Sequence, residues 1–344
     1  AKNNGGKKKV LASVLAGLAM VGAGATMGSP VQAGANYGNS AVNIQPDNIP
    51  AGYQGNTVGK NSVVVGYMNT TDNNAGTLAY GANNNVSGDS AFAMGNNNVA
   101  AGGNAYAMGN TAEARGTATL AFGNQAKAKA DYTVAIGSGA QATANNAVAV
   151  GRVNKATNLS AVALGVNNKA AGQDSTAVGS SNTVNGDQAS AFGRENVIDG
   201  ASVAGATAVG HKNKASGDRA IAIGEGNDSQ VEDTITMGTK NTASVGGGIA
   251  IGQNNVANSG GNAGNTMIAI GRENEATGQD TVAIGRKTKA TANVSVAVGA
   301  RSEATGSGSV AIGGNGEGYK TTANGLGATA LGMQAKADGT AATA

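Results

Sequence analysis

Along most of this chain apolar and polar residues alternate in short bursts, and each burst closes on a glycine. Tyr132-Thr133-Val134-Ala135-Ile136-Gly137 is typical, followed by Ser138-Gly139-Ala140-Gln141-Ala142-Thr143-Ala144. Glycines at this place include Gly137, Gly151, Gly165 and Gly179, and later Gly285 and Gly299. Nineteen such anchors run from Gly66 to Gly332; fourteen of the eighteen intervals between them are fourteen residues, and the others are 15, 17, 19 and 19. A fixed period of this size marks a stack of supersecondary units rather than an ordinary domain.

Within a unit the positions carry distinct chemistry. One and three places before the anchor stand mostly Val, Ile, Leu, Met or Phe, while two places before is Ala in every copy except Val64 and Thr236. Alternation with period two predicts a β-strand. After the anchor comes a first corner, where Asn154, Asn168, Asn182, Asn196, Asn213 and Asn241 recur three places on; Asn tolerates left-handed backbone angles. A second short strand places a small apolar residue five places after the anchor, as at Ala142, Ala156 and Val184. Pairs such as Gly88-Asp89, Gly172-Gln173 and Gly186-Asp187 then predict the second corner.

One unit has too little apolar surface to fold alone, but copies stacked in register pair every strand with those above and below. The expected fold is all-β: a parallel β-solenoid of about nineteen 14-residue coils, at ~4.8 Å per coil a rod on the order of 90 Å long. Proline agrees, since Pro30, Pro46 and Pro50 all precede the first repeat and Pro interrupts a β-ladder. Tyr80, Phe92, Tyr106 and Phe122 occupy core-type positions in the early coils, where later coils mostly use Val or Ile, which predicts a better-packed N-terminal tip. The long intervals predict inserted loops over Val197 to Ala204, Asn258 to Asn265 and Gly314 to Asn324.

Composition narrows the picture. There is no Trp, no Cys and only ten aromatic residues in 344, so a wide globular core is excluded and the absence of disulfides leaves stacking to hold the fold. Residues 1–33 combine Lys7 to Lys9, an apolar run from Val10 to about Met27 and Val31-Gln32-Ala33, the pattern of a signal peptide cleaved after Ala33. Those residues hold four Lys and no acidic residue, so the net charge of +3 becomes −1 without them. A near-neutral mature chain argues against nucleic acid as a partner. Residues 34–60 read as a lead-in or cap and 61–344 as the repeats.

The units Asn146 to Thr157 (NAVAVGRVNKAT), Ser160 to Gly172 (SAVALGVNNKAAG) and Asp280 to Thr291 (DTVAIGRKTKAT) resemble the head repeats of trimeric autotransporter adhesins of the YadA-like type. That resemblance implies a left-handed parallel β-roll, three identical chains side by side, and display at the outer membrane of a two-membrane bacterium. It further implies binding of extracellular matrix protein, or of host-cell or bacterial-surface glycans and proteins. Neck, stalk and anchor patterns are not legible in 61–344, so attachment to the outer membrane is expected only through further segments. A homotrimer also has a local rationale, because so thin a coil gains by burying a second face. Whether the recurrent Ala faces a neighbouring chain or the coil interior stays open at this level.

Catalysis is not expected, and neither is a cofactor or metal. His211 stands in the corner slot that elsewhere holds Arg152, Arg194, Arg272 or Arg286, so a triad through Asp218 is the weaker reading beside a solvated corner residue. Asp89, Asp187 and Asp218 recur at equivalent turns but lack the Gly-Gly-x-Gly-x-Asp pattern of calcium-binding rolls. Gly246-Gly247-Gly248 has no helix after it to complete a phosphate site. The candidate ligand surface is the stacked corner charge: Arg152, Lys155, Arg194, Glu195, Lys212, Arg272, Glu273, Arg286 and Lys287. Repeated charge suits multivalent contact with an extended polymer. The expected function is thus a non-enzymatic adhesin head; the alternative, a structural or ice-binding solenoid, wants ranks of Thr at one phase, and Thr here is scattered.

Overall fold

The computed structural model describes residues 32–36, 41–45, 55–73, 76–200, 203–258, 266–315 and 318–344. The signal sequence expected over 1–33 therefore lies outside the described residues, except that Gln32 and Ala33 belong to the first strand, Gln32–Asn36. Among the described residues every regular element is a strand. A coil consists of one long strand, such as Val148–Arg152, and one short strand, such as Lys155–Ala156. Each pairs in parallel with its copy in the next coil at the same repeat phase: Val148 with Val162, Gly151 with Gly165, Lys155 with Lys169. Among the described residues the long strands build one 21-stranded sheet, and the short strands a second ladder from Thr70–Thr71 to Lys336–Ala337. The β-solenoid read from the period is thus the fold.

At its N-terminal edge the long sheet is extended by Ala41–Gln45, which pairs in parallel with Val63–Tyr67 and antiparallel with Gln32–Asn36. This change of direction ends the regular stack.

Four positions per coil point inward. Around Gly151 they are Ala147, Ala149, Asn154 and Ala156, all fully buried, while Val148 and Val150 between them are only half-buried. The strand alternation was legible, but its sides are the reverse of the usual expectation. The recurrent Ala lines the interior, so it is not a contact point for another chain, and the bulky Val, Ile and Phe residues face out. Two strands of one fourteen-residue coil, with only Val153 and Asn154 between them at the first corner, stand too close for large side chains on both walls. Larger inward residues occur singly, as Val64, Val86, Val184 and Ile198. Thr236, which breaks the Ala rule, lies opposite another exception, Ser229; their hydroxyls meet at 2.8 Å and Ser229 also donates to the Ile221 carbonyl.

The aromatic residues of the early coils belong to the outer face as well, with Tyr106 at 44% and Phe122 at 48% exposure. Phe92 and Tyr106 pack ring against ring, centroids 6.4 Å apart. They are not core residues, and the expected better-packed tip has another character.

Asn three places after the anchor does not take left-handed angles. Those angles fall one residue earlier, at Val153, Asn167, Glu195 or Lys212, and the Asn side chain turns inward as part of a ladder. Asn168 Nδ2 donates to Asn154 Oδ1 at 3.1 Å, to the Leu164 carbonyl at 2.8 Å and to the Gly179 carbonyl at 2.8 Å. The backbone N–H of Asn168 also donates to Asn154 Oδ1. Nine such residues stack from Asn154 to Asn274, each joined to the next. A shorter ladder covers Asn56, Asn69, Asn84 and Asn98. Between them stand Ala112, Ala126 and Ala140. Where Ala126, Ala140 and Ala335 replace the amide, the long strand shrinks to three residues, Leu120–Phe122, Val134–Ile136 and Thr329–Leu331. The amide is not required for the longer strand, since Ala112 follows the five-residue Tyr106–Asn110, and Thr288 and Ser302 follow Val282–Arg286 and Val296–Ala300.

At the second corner the left-handed residue follows the Gly-Asp pair rather than belonging to it, as Ser90 and Gln188 show. The insertions are also shorter than their intervals suggest: Val197–Ile198 and Thr322–Ala323 are ordinary short strands in register. The additional residues of the first and third insertions come after Ile198 and Asn315, and the insertion expected over Asn258 to Asn265 lies, apart from Asn258, outside the described residues.

The anchors allow a direct test. A Cβ on Gly165 would overlap the carbonyl oxygen of Gly179, at a φ of +114. Gly103 has no positive φ, and a Cβ there would meet nothing nearer than the Asp89 carbonyl oxygen at 3.9 Å. Gly165→Ala is expected to cost more than about 3 kcal/mol in equilibrium unfolding and Gly103→Ala less than about 1 kcal/mol; equal costs would refute the account. Asn196→Ala, which strips the partner from the Asn213 backbone N–H and from the Phe192 and Gly210 carbonyls, is expected to cost about 1–3 kcal/mol.

Candidate functional site

The corner charges proposed from sequence fall into two rows rather than one. Arg152, Arg194, Arg272 and Arg286 end their long strands just after the anchor, and register stacks Arg194 on His211 and Arg272 on Arg286. Glu195, Lys212, Glu273 and Lys287 follow at the left-handed corner position, with φ between 54 and 57. These residues form two clusters. In the first, Glu195 meets Arg194 at 3.4 Å and Lys212 at 3.6 Å, Arg194 Nη2 lies 2.8 Å from His211 Nε2, and Glu225 approaches His211 Nδ1 at 3.6 Å. In the second, Glu273 joins Arg272 at 3.7 Å and Lys287 at 3.3 Å. Such exposed pairs contribute at most about 1 kcal/mol each, and they neutralise much of their own charge.

Arg152 lies in the same row but far up the stack from both clusters, next to Val166 and Ser180 in register. Lys155 belongs to the other row, the outward side of the short strands, stacked on Lys169. Sequence phase alone places it with the corner because only Val153 and Asn154 separate it from Arg152.

His211 sits at the first corner, whereas Asp218 sits at the second, where its carboxylate accepts the backbone N–H of Ala204 at 2.8 Å. Asp187 does the same for Gln173 at 2.7 Å, and Asp131 for Thr117 at 2.7 Å. These Asp residues stitch one coil to the next at the turn. Among the described residues no group of three or more potential metal ligands converges.

A surface that the sequence reading assigned to the interior is the largest feature of the rod. The outer face of the long sheet presents two large apolar side chains in most coils, such as Val148 and Val150, Ile221 and Ile223, Ile249 and Ile251, and Ile268 and Ile270, and one where Thr176, Ser190, Thr207 or Thr329 takes the other place. It runs the length of the stack, far beyond the scattered apolar residues of an ordinary monomer surface.

Ten segments match the family model for the YadA head domain repeat, from 100–126 and 114–140 to 290–315 and 318–344, and together they cover more than half of the chain. No curated protein matches it.

At the second corner Arg219 clamps Asp233 of the next coil through two hydrogen bonds, 2.6 and 2.8 Å. The hydrogen bond from Arg219 holds the Asp233 carboxyl below its ordinary value of 3.8, against a small opposing effect of desolvation. A carboxyl lowered in the folded state contributes stability above its unfolded value and loses it as pH falls through the folded one. Thermal midpoints of wild type and Asp233→Asn are expected to differ at neutral pH and to converge as pH drops below 3.8; a gap that stays constant to the acid limit would contradict the clamp. The phased anchors, the two-strand coil and the matched segments together make this chain a member of the YadA head-repeat family, its solenoid a YadA-like head domain of a trimeric autotransporter adhesin.

Proposed function

We propose that this solenoid is the ligand-binding head of an exported adhesin, assembled from three copies of the chain joined along the outer face of the long sheet. The observation that carries it is the continuous apolar face, from Val63 and Val65 to Thr329 and Leu331. Left in water, one or two half-exposed large apolar side chains per coil over nineteen coils favour association at about 25 cal/mol for each Å² covered. Winding the stack left-handed, as the family does, and setting three rods face to face puts that surface inside and turns both charged rows outward.

Residues 1–33 act in this reading as the signal peptide and 34–60 as the lead-in to the repeats at 61–344. The head is displayed at the outer membrane of a two-membrane bacterium through segments beyond the repeats. It binds extracellular matrix protein, or host-cell or bacterial-surface glycans and proteins, without catalysis, cofactor or metal. The candidate contacts are the first-corner row, Arg152, Arg194, Glu195, Lys212, Arg272, Glu273, Arg286 and Lys287, and the short-strand row that includes Lys155. Repetition along the rod and around the trimer would make weak contacts add.

Sedimentation equilibrium tests the assembly. The wild-type repeats are expected to sediment as a trimer, and the double variant Ile223→Asp, Ile251→Asp as a folded monomer with unchanged β-sheet circular dichroism. A stable wild-type monomer would overturn the assembly, and failure of the wild type to attach to any surface coated with matrix protein, host-cell glycan or bacterial envelope would overturn the adhesive role.

A further inference from the structure

The short-strand row is not uniform along the rod. Towards the C-terminal end its charges alternate and pair: Lys289 meets Glu275 at 3.0 Å, Lys320 meets Glu303 at 2.7 Å, and Lys214 stacks on Asp228 in register. From Arg115 to Lys169 the same face carries Arg115, Lys127, Lys129, Lys155 and Lys169 against one carboxylate, Glu113. Glu113 is occupied by Arg115 at 2.9 Å and Lys127 at 3.5 Å. The nearest other carboxylates lie at the second corner, where Asp131 holds the Thr117 N–H and Asp174 accepts from Gln173.

Lys129, Lys155 and Lys169 consequently have no ion-pair partner among the described residues, and Lys155 and Lys169 are direct neighbours in register. Like charges directly opposite on adjacent strands destabilise a sheet. The fold gains nothing from this arrangement, and elsewhere on the same row it is resolved by opposite charge.

The row's shape narrows the class of anion. It is straight, spans four coil steps or ~20 Å, and lies on the opposite side of the coil from the apolar face. Outward positions between Glu113 and Lys169 carry Gln141, Thr143, Thr157 and Ala171 beside the cations, with no aromatic ring. Protein hot spots need buried aromatic or aliphatic anchors, and single-stranded nucleic acid needs rings on which to stack. A linear chain with regularly spaced sulfate or carboxylate groups needs neither.

We infer that the short-strand face from Arg115 to Lys169 is a binding track for an anionic polysaccharide, with Lys129, Lys155 and Lys169 supplying the free charge. This deepens the adhesive reading and rests on it for the cellular setting only. Contacts of this kind are screened by salt and gain by repetition along the polymer.

The test uses the full chain and heparin as the probe, with neutral dextran and a DNA duplex as comparators. The triple variant Lys129→Gln, Lys155→Gln, Lys169→Gln is expected to raise the heparin dissociation constant at least tenfold at moderate salt. A control triple at unpaired cations elsewhere, Lys60→Gln, Lys240→Gln, Arg301→Gln, is expected to stay within twofold of wild type. Circular dichroism should be the same for all three proteins, since every substituted side chain lies outside the core. No heparin binding by wild type, equal loss in both triples, or DNA binding as tight as heparin binding would each overturn the assignment. Attachment of the same proteins to matrix-coated surfaces separates the two readings: heparin binding without any attachment sinks the adhesin and keeps the track, and attachment without heparin binding does the reverse.

Discussion

In a stack of parallel coils in register, every residue lies on its own counterpart one period away, about 4.8 Å along the axis. A side chain must therefore be compatible with a copy of itself. Glycine anchors satisfy this because the next anchor's carbonyl fills the space a Cβ would need. Asn satisfies it better than other polar residues, since an amide is donor and acceptor at once and bonds to an identical amide above and below. Lysine satisfies it worst, so Lys155 on Lys169 stands out against the alternation of Glu275, Lys289 and Glu303.

The same rule explains an interior made of Ala, Ser, Thr and Asn. Such a core buries little apolar area per residue, and the backbone ladders and amide bonds carry the inter-coil order instead. Small residues inside leave the large ones outside, and the surplus of apolar surface that results is the physical link between this fold and association. Fold and assembly share one cause, the closeness of the two strands within a coil.

Much of this was legible in sequence. The period, the two strands, the two corners and the place of the insertions all follow from where Gly137, Gly151 and their counterparts fall. What the sequence left open was direction. A strand that alternates Val and Ala is apolar on both sides, so periodicity cannot assign Val148 outward and Ala149 inward; the usual preference for large residues in a core points the wrong way. Asn154 misled for a related reason. Its tolerance of left-handed angles is real, but the corner imposes those angles on whatever precedes it, Val153, Glu195 and Lys212 alike, and only the folded coil shows the amide facing its copies. Among the candidate contacts, Lys155 was grouped with Arg152 by nearness in the chain, although a left-handed residue and a buried Asn between them put the two on different surfaces.

The interruption of the amide ladder at Ala112, Ala126 and Ala140 bears on how the rod behaves under load. Force applied along its axis passes through every coil interface in series, so the layers that lack the amide bonds set the limit for the whole. Those layers form two seams, Ala112, Ala126 and Ala140 between the two amide ladders and Thr288, Ser302, Thr321 and Ala335 beyond Asn274. A tethered head pulled along its axis would part at one of these seams before it parted within a run of stacked Asn.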